Sequence, residues 1–369
     1  MLEKDLWRVE EMNTMIFDSY RRKQVTNSKR IRKYWIFIVD DRTFPEHLHA
    51  GIASINRPKQ IHQQQSAIAE IIGVRPGDYI FFNLRASKGR PPLLYGLYEA
   101  TSTPYYDESP LYKEAQYVGK PGYAGGLPYR VGFKHIINFP KPIRIDEIWY
   151  LRESGHIWTL HFSRGDAVGV HACVSVSKPE GELLVKMLEA INLGLVERPK
   201  VTQSLLPEER VPIINMLDLR TDKLGQLHYE ASLKALLING LADGMYKDVF
   251  GYYDDFIPNL PTGTRKELDI VLLKYCDDSI VWYELLELTA GTFDMEHLKR
   301  LYDYEEWFLR GRKVLAPLQV HPVGIAYDFN DDVIKNAKAR FKEGKNIKLI
   351  RYRFDKEDRV LCFKELSLS

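Results

Sequence analysis

The feature that most constrains this chain is the stretch KELDIVLLKYCDDSIVWYELLELTAG, residues 266–291. It reads as two neighbouring strands, each with an acid inside an apolar run: Asp269 within Leu268 to Leu273, and Glu287 within Ile280 to Leu288. A charged carboxylate in a strand core is costly unless something compensates it. Acids on adjacent strands can approach one hard cation together, and such a cation takes oxygen ligands. Exposed strand ends would also remove the cost, and the residues leave that alternative open.

The 369 residues suffice for two domains, each with its own core. A chain that is 45% apolar and 28% charged belongs with globular proteins, not disordered ones. The net charge of +2 demands no acidic partner, but RRKQVTNSKRIRK, residues 21–33, packs seven basic residues into thirteen without an acid. That run suits phosphate contact or a solvated helix end equally. Cys173, Cys276 and Cys362 have no paired spacing, which gives no support to a disulfide scaffold or a CxxC zinc ribbon and fits a reducing compartment. The N-terminal MLEKDLWRVEEM lacks the basic-then-apolar order of a signal peptide, and no apolar run approaches the ~20 residues of a membrane span. A cytoplasmic location without a membrane partner is expected.

Leu2, Leu6, Val9, Ile16 and Tyr20 predict an amphipathic helix, which with the basic run makes up residues 1–30. From Tyr34 to about Leu160, YWIFIV, RPGDYIFFNL, LLYGLYEATS and LPYRVGFKHII read as strands, and QIHQQQSAIAEIIGV has helical spacing. PEGELLVKMLEAINLGL opens with Pro and acids and stops at Asn192-Leu193-Gly194, a complete helix signature. Residues 31–198 are thus expected to curl into a small β-barrel with flanking helices, and the proline-punctuated 199–222 to link it onward. The rhythm of 223–369 then changes to helix, strands, helix, strand, helix, strand, ending at IKLIRYRF. That order implies a mixed α/β sheet covered by helices. The predicted class is α+β and α/β in two domains.

The ordered set Tyr34-Trp35, Pro76-Gly77-Asp78, Gly96-x-Tyr98-Glu99, Pro104-Tyr105 and Pro128-Tyr129-Arg130-Val131 resembles the EVE domain of the PUA-like and YTH-like group, over roughly Lys33 to Leu195. The resemblance implies a barrel that captures a flipped, often modified, nucleobase. Residues 105–129 hold six tyrosines (Tyr105, Tyr106, Tyr112, Tyr117, Tyr123 and Tyr129) beside Lys113, Lys120 and Arg130. Aromatic faces stack bases at about 1–3 kcal/mol each, and lysines reach phosphates. A flipped base also needs hydrogen bonds to its edge. The candidate base-binding residues are Trp35, Ser54, Asn56, Asn83, Tyr105, Tyr106 and Tyr123, although Tyr34, Trp35 and Tyr129 also suit barrel closure. The family's tryptophan after the first helix is missing: HAGIASIN puts Ala50 or Ile52 there. An aliphatic wall weakens stacking, so the base preferred is open.

After residue 221 the features resemble the PD-(D/E)xK nuclease superfamily, with its Mrr-like and RecB-like members. On that resemblance Glu230 is a metal-oriented acid in the first helix, and Asp269 and Glu287 are the metal acids. His297 and Tyr302 would face the site from the helix that follows. Phosphodiester hydrolysis at neutral pH needs a metal to create hydroxide and offset charge, so Mg2+ (or Mn2+) is the implied cofactor. The family's lysine follows the glutamate by two residues on the same strand face. Here that position is Thr289, which has no charge. Three readings stand. The lysine has migrated, with Lys299 the candidate and Arg300 and Lys266 behind it. Or the acid is Glu284, which would put Leu286 at the lysine position. Or the domain only binds nucleic acid.

His47-x-His49 and His171-x-Cys173 lack the third and fourth ligands of a zinc site and read as structural or surface residues. The combined expectation is a modification-dependent DNA endonuclease: a base reader joined to a metal-dependent cutter, acting on double-stranded DNA. The resemblance also implies a homodimer. A non-catalytic DNA- or RNA-binding protein with a degenerate nuclease fold is the alternative.

Overall fold

YWIFIV forms β1 (Tyr34–Val39), where Trp35, Phe37 and Val39 enter one core while Tyr34 and Ile36 enter another. A strand buried on both faces reads as an unbroken apolar run, which is why this one was plain in the sequence. The computed structural model describes residues 30–368 other than 88, 110–126, 154, 161–170, 223, 263–265, 277–278 and 312–318. The expected N-terminal helix, most of the basic run, and Tyr112, Lys113, Tyr117, Lys120 and Tyr123 lie outside the described residues.

β1 pairs in parallel with β3 (Tyr79–Leu84) and antiparallel with β8 (Cys173–Val176). β3 continues antiparallel to β4 (Leu93–Ala100), and β4 to β6 (Tyr129–His135). The sheet curls at β6, whose first half pairs with β2 (Ile52–Ile55) and β5 (Tyr105–Tyr106) while its second half pairs with β4. β7 (Ile143–Arg144) adds to β4. Four helices flank this sheet: α1 (Phe44–Ala50), α2 (Ile61–Ile71), α3 (Ile145–Glu153) and α4 (Lys178–Ile191). A capping box between Ser177 and Glu180 starts α4, and its exit passes Gly194 at positive φ.

Residues 199–222, expected as a linker, largely pack back on this sheet. The Val201 amide donates to His135 Nδ1 (2.9 Å), Leu205 N to Ala50 O (2.8 Å), and Ser204 Oγ to Phe133 O (2.9 Å). β9 (Val211–Pro212) then pairs with β5 as the outermost strand. Prolines forbid long ladders but are tolerated at an edge, so a segment that reads as a linker can still close a sheet.

The second sheet has the order β10-β11-β12-β13-β14-β15. Its strands are β10 (Asp255–Pro261), β11 (Glu267–Cys276), β12 (Ser279–Phe293), β13 (Val320–Phe329), β14 (Lys348–Asp355) and β15 (Val360–Glu365). The β12–β13–β14 pairs are parallel and the others antiparallel, so the sheet is mixed as expected. Neither edge strand, β10 nor β15, is among the strands expected from the sequence. Pro258 and Pro261 disguise β10, but each can sit on an edge strand without breaking the ladder. α7 (Met295–Gly311) and α8 (Asp331–Lys342) cover this sheet. No helix among the described residues is long and apolar enough to cross a membrane.

α5 (Glu230–Ala242) stands between the sheets, and the short α6 (Lys247–Phe250) follows it against β15. α5 has buried residues all round: Leu233, Leu236, Leu237, Ile238 and Leu241 share one cluster with Trp35 and Ile68 of the first unit and Leu286 and Leu288 of the second. A helix apolar on every face is a buried helix. Gly73, at the end of α2, allows the close approach: a Cβ there would lie 2.9 Å from Ile238 and 3.0 Å from the Trp35 ring. Polar contacts seal the same interface. Arg75 Nε donates to Asp243 Oδ1 (2.7 Å), and its Nη2 to Asn239 O and Oδ1 (both 2.9 Å). Buried Lys33 forms an ion pair with buried Asp255.

Candidate functional site

β11, β12, α5 and α7 bring the acids together. Glu230 is the first residue of α5, and Lys234 follows one turn later on the same face. Asp269 is the third residue of β11; Glu287 and Thr289 share one face of β12. Asp269 Oδ1 accepts from Lys234 Nζ at 2.8 Å, and its Oδ2 from the Leu288 amide at 2.8 Å, which pins the two strands together. Glu287 Oε1 lies 2.8 Å from Arg300 Nη2 of α7. The hydroxyl of Thr289 hydrogen-bonds Glu230.

Three carboxylates in one buried place do not all ionise cheaply. Burial, then the charge of Asp269, push Glu287 up to about 9, and Arg300 opposes this only in part. Burial and Asp269 likewise raise Glu230 to about 7, against Lys234, Arg300 and the Thr289 hydrogen bond. For Lys234, burial works against the charge, but Asp269 and Glu267 outweigh it and the amine is raised.

The structure thus brings Glu230, Asp269 and Glu287 near one another, but not Lys299, whose side chain is exposed. Among the described residues, the cations at the acids are Arg300, one residue on, and Lys234, which no sequence expectation named. A helix turns 100° per residue, so Lys299 and Arg300 cannot face the same partner. The available signal for Lys234 was its i,i+4 spacing from Glu230. Lys266 pairs with Asp303 at 3.3 Å. Glu284, three residues from Glu287 and so on the other face of β12, pairs with Lys348 at 3.2 Å. His297 and Tyr302 do not face the acids: His297 Nδ1 bonds Asp294 Oδ1 (2.6 Å) at the start of α7, and Tyr302 donates to Asn336 Oδ1 (3.0 Å). The tyrosine of α7 near the acids is Tyr304, whose hydroxyl donates to Glu267 O at 2.9 Å; burial, then Glu287, raise its ionisation.

No group of three or more His, Cys, Asp or Glu side chains among the described residues has the geometry of a ready-made metal cage. A hard cation that keeps most of its waters needs only one or two carboxylates. Asp269 and Glu287 fit that requirement. Glu287 Oε2 is buried without a hydrogen-bond partner among the described residues.

On the first sheet, Ser54, Arg130 and Tyr105 form one cross-strand row, since both Ser54 and Tyr105 pair opposite Arg130. Arg130 is itself held by Asp107, by Ser109 O (2.6 Å) and by Leu127 O (3.0 Å). Tyr106 is half-buried and accepts from Arg57 Nη1 at 2.7 Å, with Asn56 adjacent to that arginine and half-buried. Asn83 projects elsewhere, from the β3 face it shares with Phe81; its buried Oδ1 has no partner among the described residues. Trp35 does not line a pocket. It is fully buried, donates from Nε1 to Asp78 Oδ2 (3.0 Å), and packs at the interface with α5. Its ring is committed to the core, so it has no face to offer a base. Tyr123 lies outside the described residues.

No family model matches this chain. A UPF0310 protein of Pyrococcus horikoshii is 36% identical over 98 residues, which is 24% of this chain and 62% of that relative. The chain thus matches less than two thirds of the relative's length. Among solved structures, a hypothetical protein from Leishmania major aligns with 44% of this chain and 98% of its own, at 18% identity and a TM-score of 0.32. Human THYN1, solved in complex with 5-methylcytosine-containing DNA, aligns over 42% and 98%, at 12% identity and a TM-score of 0.29. A repair endonuclease from Pyrococcus abyssi aligns over 31% and 45%, at 15% identity and a TM-score of 0.24. At these scores the likenesses carry no argument about fold or function.

Proposed function

We propose that this chain is a metal-dependent endonuclease whose first unit inspects a nucleobase and whose second unit cuts the backbone. The observation that carries the proposal is the pairing of Lys234 with Asp269, 2.8 Å apart, beside Glu287 and Glu230. It supplies a positive charge where the strand residue Thr289 has none. Mg2+ (or Mn2+), bound by Asp269 and Glu287, would activate water and offset charge on the phosphate. Lys234 then stabilises negative charge as it develops on the scissile phosphate. Glu230, raised to about 7, is poised near neutrality to take a proton from an attacking water. Arg300 holds Glu287 Oε1 and so leaves Oε2 as the free ligand atom. In the first unit, half-buried Tyr106 and Asn56 are the candidates to meet a base, whereas Tyr105 and Ser54 are buried beside Arg130 and have no face to offer one. The substrate on this reading is double-stranded DNA with a modified base, and cutting both strands favours a homodimer.

A second reading rests on the same ion pairs. With Lys234 on Asp269 and Arg300 against Glu287, both acids already have a cationic partner, as they would in a platform that binds nucleic acid without cutting it.

Purified protein with Mg2+ on modified and unmodified duplexes separates the two. Cleavage lost in Asp269→Ala and in Glu287→Ala supports the nuclease. Tight binding with every strand left intact supports the platform, and competition with structured RNA tests the choice of nucleic acid.

A further inference from the structure

His171 belongs to the first unit, two residues before β8, yet it reaches the second. Its Nδ1 lies 3.0 Å from Glu70 Oε1 of α2, and its Nε2 lies 2.8 Å from Glu267 Oε2, the first residue of β11. Glu70 Oε2 also accepts the amides of Ala172 (2.7 Å) and Cys173 (3.2 Å), so α2 fixes the backbone that carries the ring. Carboxylates only accept, so both ring nitrogens donate and the ring is an imidazolium. Glu267 precedes Asp269 by two residues on the same strand face. Lys234 Nζ stands between them, 3.9 Å from Glu267 Oε1 and 2.8 Å from Asp269 Oδ1.

From this geometry we infer that His171 is a positioning residue for the nuclease-like site: its charge occupies Glu267 and so leaves Lys234 to Asp269. The inference rests on the proposed function. Two carboxylates compete for one amine, and a like-for-like competitor loses when a second cation neutralises it. The site in the second unit is therefore completed by a side chain of the first, across an interface whose parts pack as one core. Burial opposes the charge on His171, but the hydrogen bonds that the ring donates to Glu267 and Glu70 outweigh it and hold the ring at about 10, protonated throughout the neutral range.

The test is a double-mutant cycle in the full chain with Mg2+ and cleavable duplex. His171→Gln is expected to lower kcat about tenfold with KM unchanged, a size usual for network residues that touch no ligand. Adding Glu267→Gln removes the competitor and is expected to restore kcat to within about threefold, where independent losses would add. His171→Lys, which keeps a charge beside Glu267, is expected to act like the parent. A second readout needs neither metal nor cleavage. The 15Nζ resonance of Lys234, assigned by its loss in Lys234→Met, is expected to move in His171→Gln and return in the double variant. A Lys234 resonance indifferent to His171→Gln, or a double variant worse than either single one, overturns the inference. Absent cleavage in the parent overturns the nuclease reading alone, since the resonance still decides the role of His171.

Discussion

Lys234 Nζ stands 2.8 Å from Asp269 Oδ1, so a buried helix brings to the strand edge a charge that the strand itself does not carry. If that amine stabilises the scissile phosphate, Lys234→Met lowers kcat by roughly a hundredfold or more, the usual loss when one preorganised donor is removed. Asp269 keeps its bond from the Leu288 amide, so the fold is expected to survive, which a melting curve checks. Thr289→Lys in the Lys234→Met background returns part of the activity, because position 289 shares the face of Glu287. Single-turnover rates on a cognate duplex decide both points. An unaltered rate in Lys234→Met would remove the amine from the mechanism.

Metal binding should release protons. Burial and Asp269 hold Glu287 at about 9 and Glu230 at about 7, so Glu287 is protonated at neutral pH and must lose its proton to become a ligand. The affinity for Mg2+ is therefore expected to rise with pH between about 6 and 9. Titration calorimetry at pH 7 in buffers of different ionisation heat should report about one proton released per ion. Glu287→Gln should abolish that release. Affinity independent of pH would place the metal on other ligands.

Much of the fold is legible in the residues because the signals are local. YWIFIV, the capping box at Ser177 and Glu180, and the acid-bearing strands each declare themselves within a few positions. The edge strand Asp255–Pro261 was missed because its prolines argue against a strand, and only its place at the rim removes the objection. The site divides in the same way. Asp269 and Glu287 stand out because acids are anomalous in apolar runs, whereas Lys234 is an ordinary residue on an apolar helix until the sheet is placed against it. His171 was harder still. Its partners Glu70 and Glu267 are 101 and 96 residues away in sequence, and no spacing rule reaches that far. Trp35 misleads in the opposite direction, since an aromatic beside a suspected pocket looks the same in sequence whether it faces the ligand or the core.

Stability should fall on both sides of neutrality, for two different histidines. His171 is raised to about 10, so its contribution is complete below the ordinary value of about 6.5 and is lost as pH rises toward 10. Burial lowers His47 to about 4 despite the hydrogen bond from its Nδ1 to Ile52 O at 2.7 Å. The unfolded chain therefore takes up a proton that the folded one refuses, and stability falls as pH drops from about 6.5 to 4, by about 3 kcal/mol. Urea unfolding across pH 4 to 10 should trace a dome. His171→Gln should make the alkaline limb shallower, the remainder being set by the raised Glu287 and Glu230, and leave the acid limb in place. An alkaline limb unchanged in that variant would show that the ring is not charged in the folded protein.

The ion pair of Lys33 and Asp255 joins residues 222 positions apart and is sealed from water on both sides. Burial lowers the Lys33 amine, and the charge and hydrogen bond of Asp255 oppose that shift. Asp255 has further support from its own strand: Oδ1 accepts the Phe256 amide (2.8 Å) and Oδ2 the Tyr275 hydroxyl (3.0 Å). Lys33 also donates to Phe256 O, at the face of whose ring it sits, 4.0 Å from the centroid. Removing one partner leaves an uncompensated buried charge, so Lys33→Met or Asp255→Leu should each cost about 3–5 kcal/mol. Removing both replaces a desolvated pair by apolar side chains, and the double variant should be more stable than either single one. Because α5 fuses the two units into one core, the parent should unfold in a single transition and the single variants in two, the first exposing the Lys33 interface. Chemical denaturation followed by tryptophan fluorescence measures both effects. Single variants that lose no stability, or a double variant that loses the sum of both, would mean that the pair does not hold the units together.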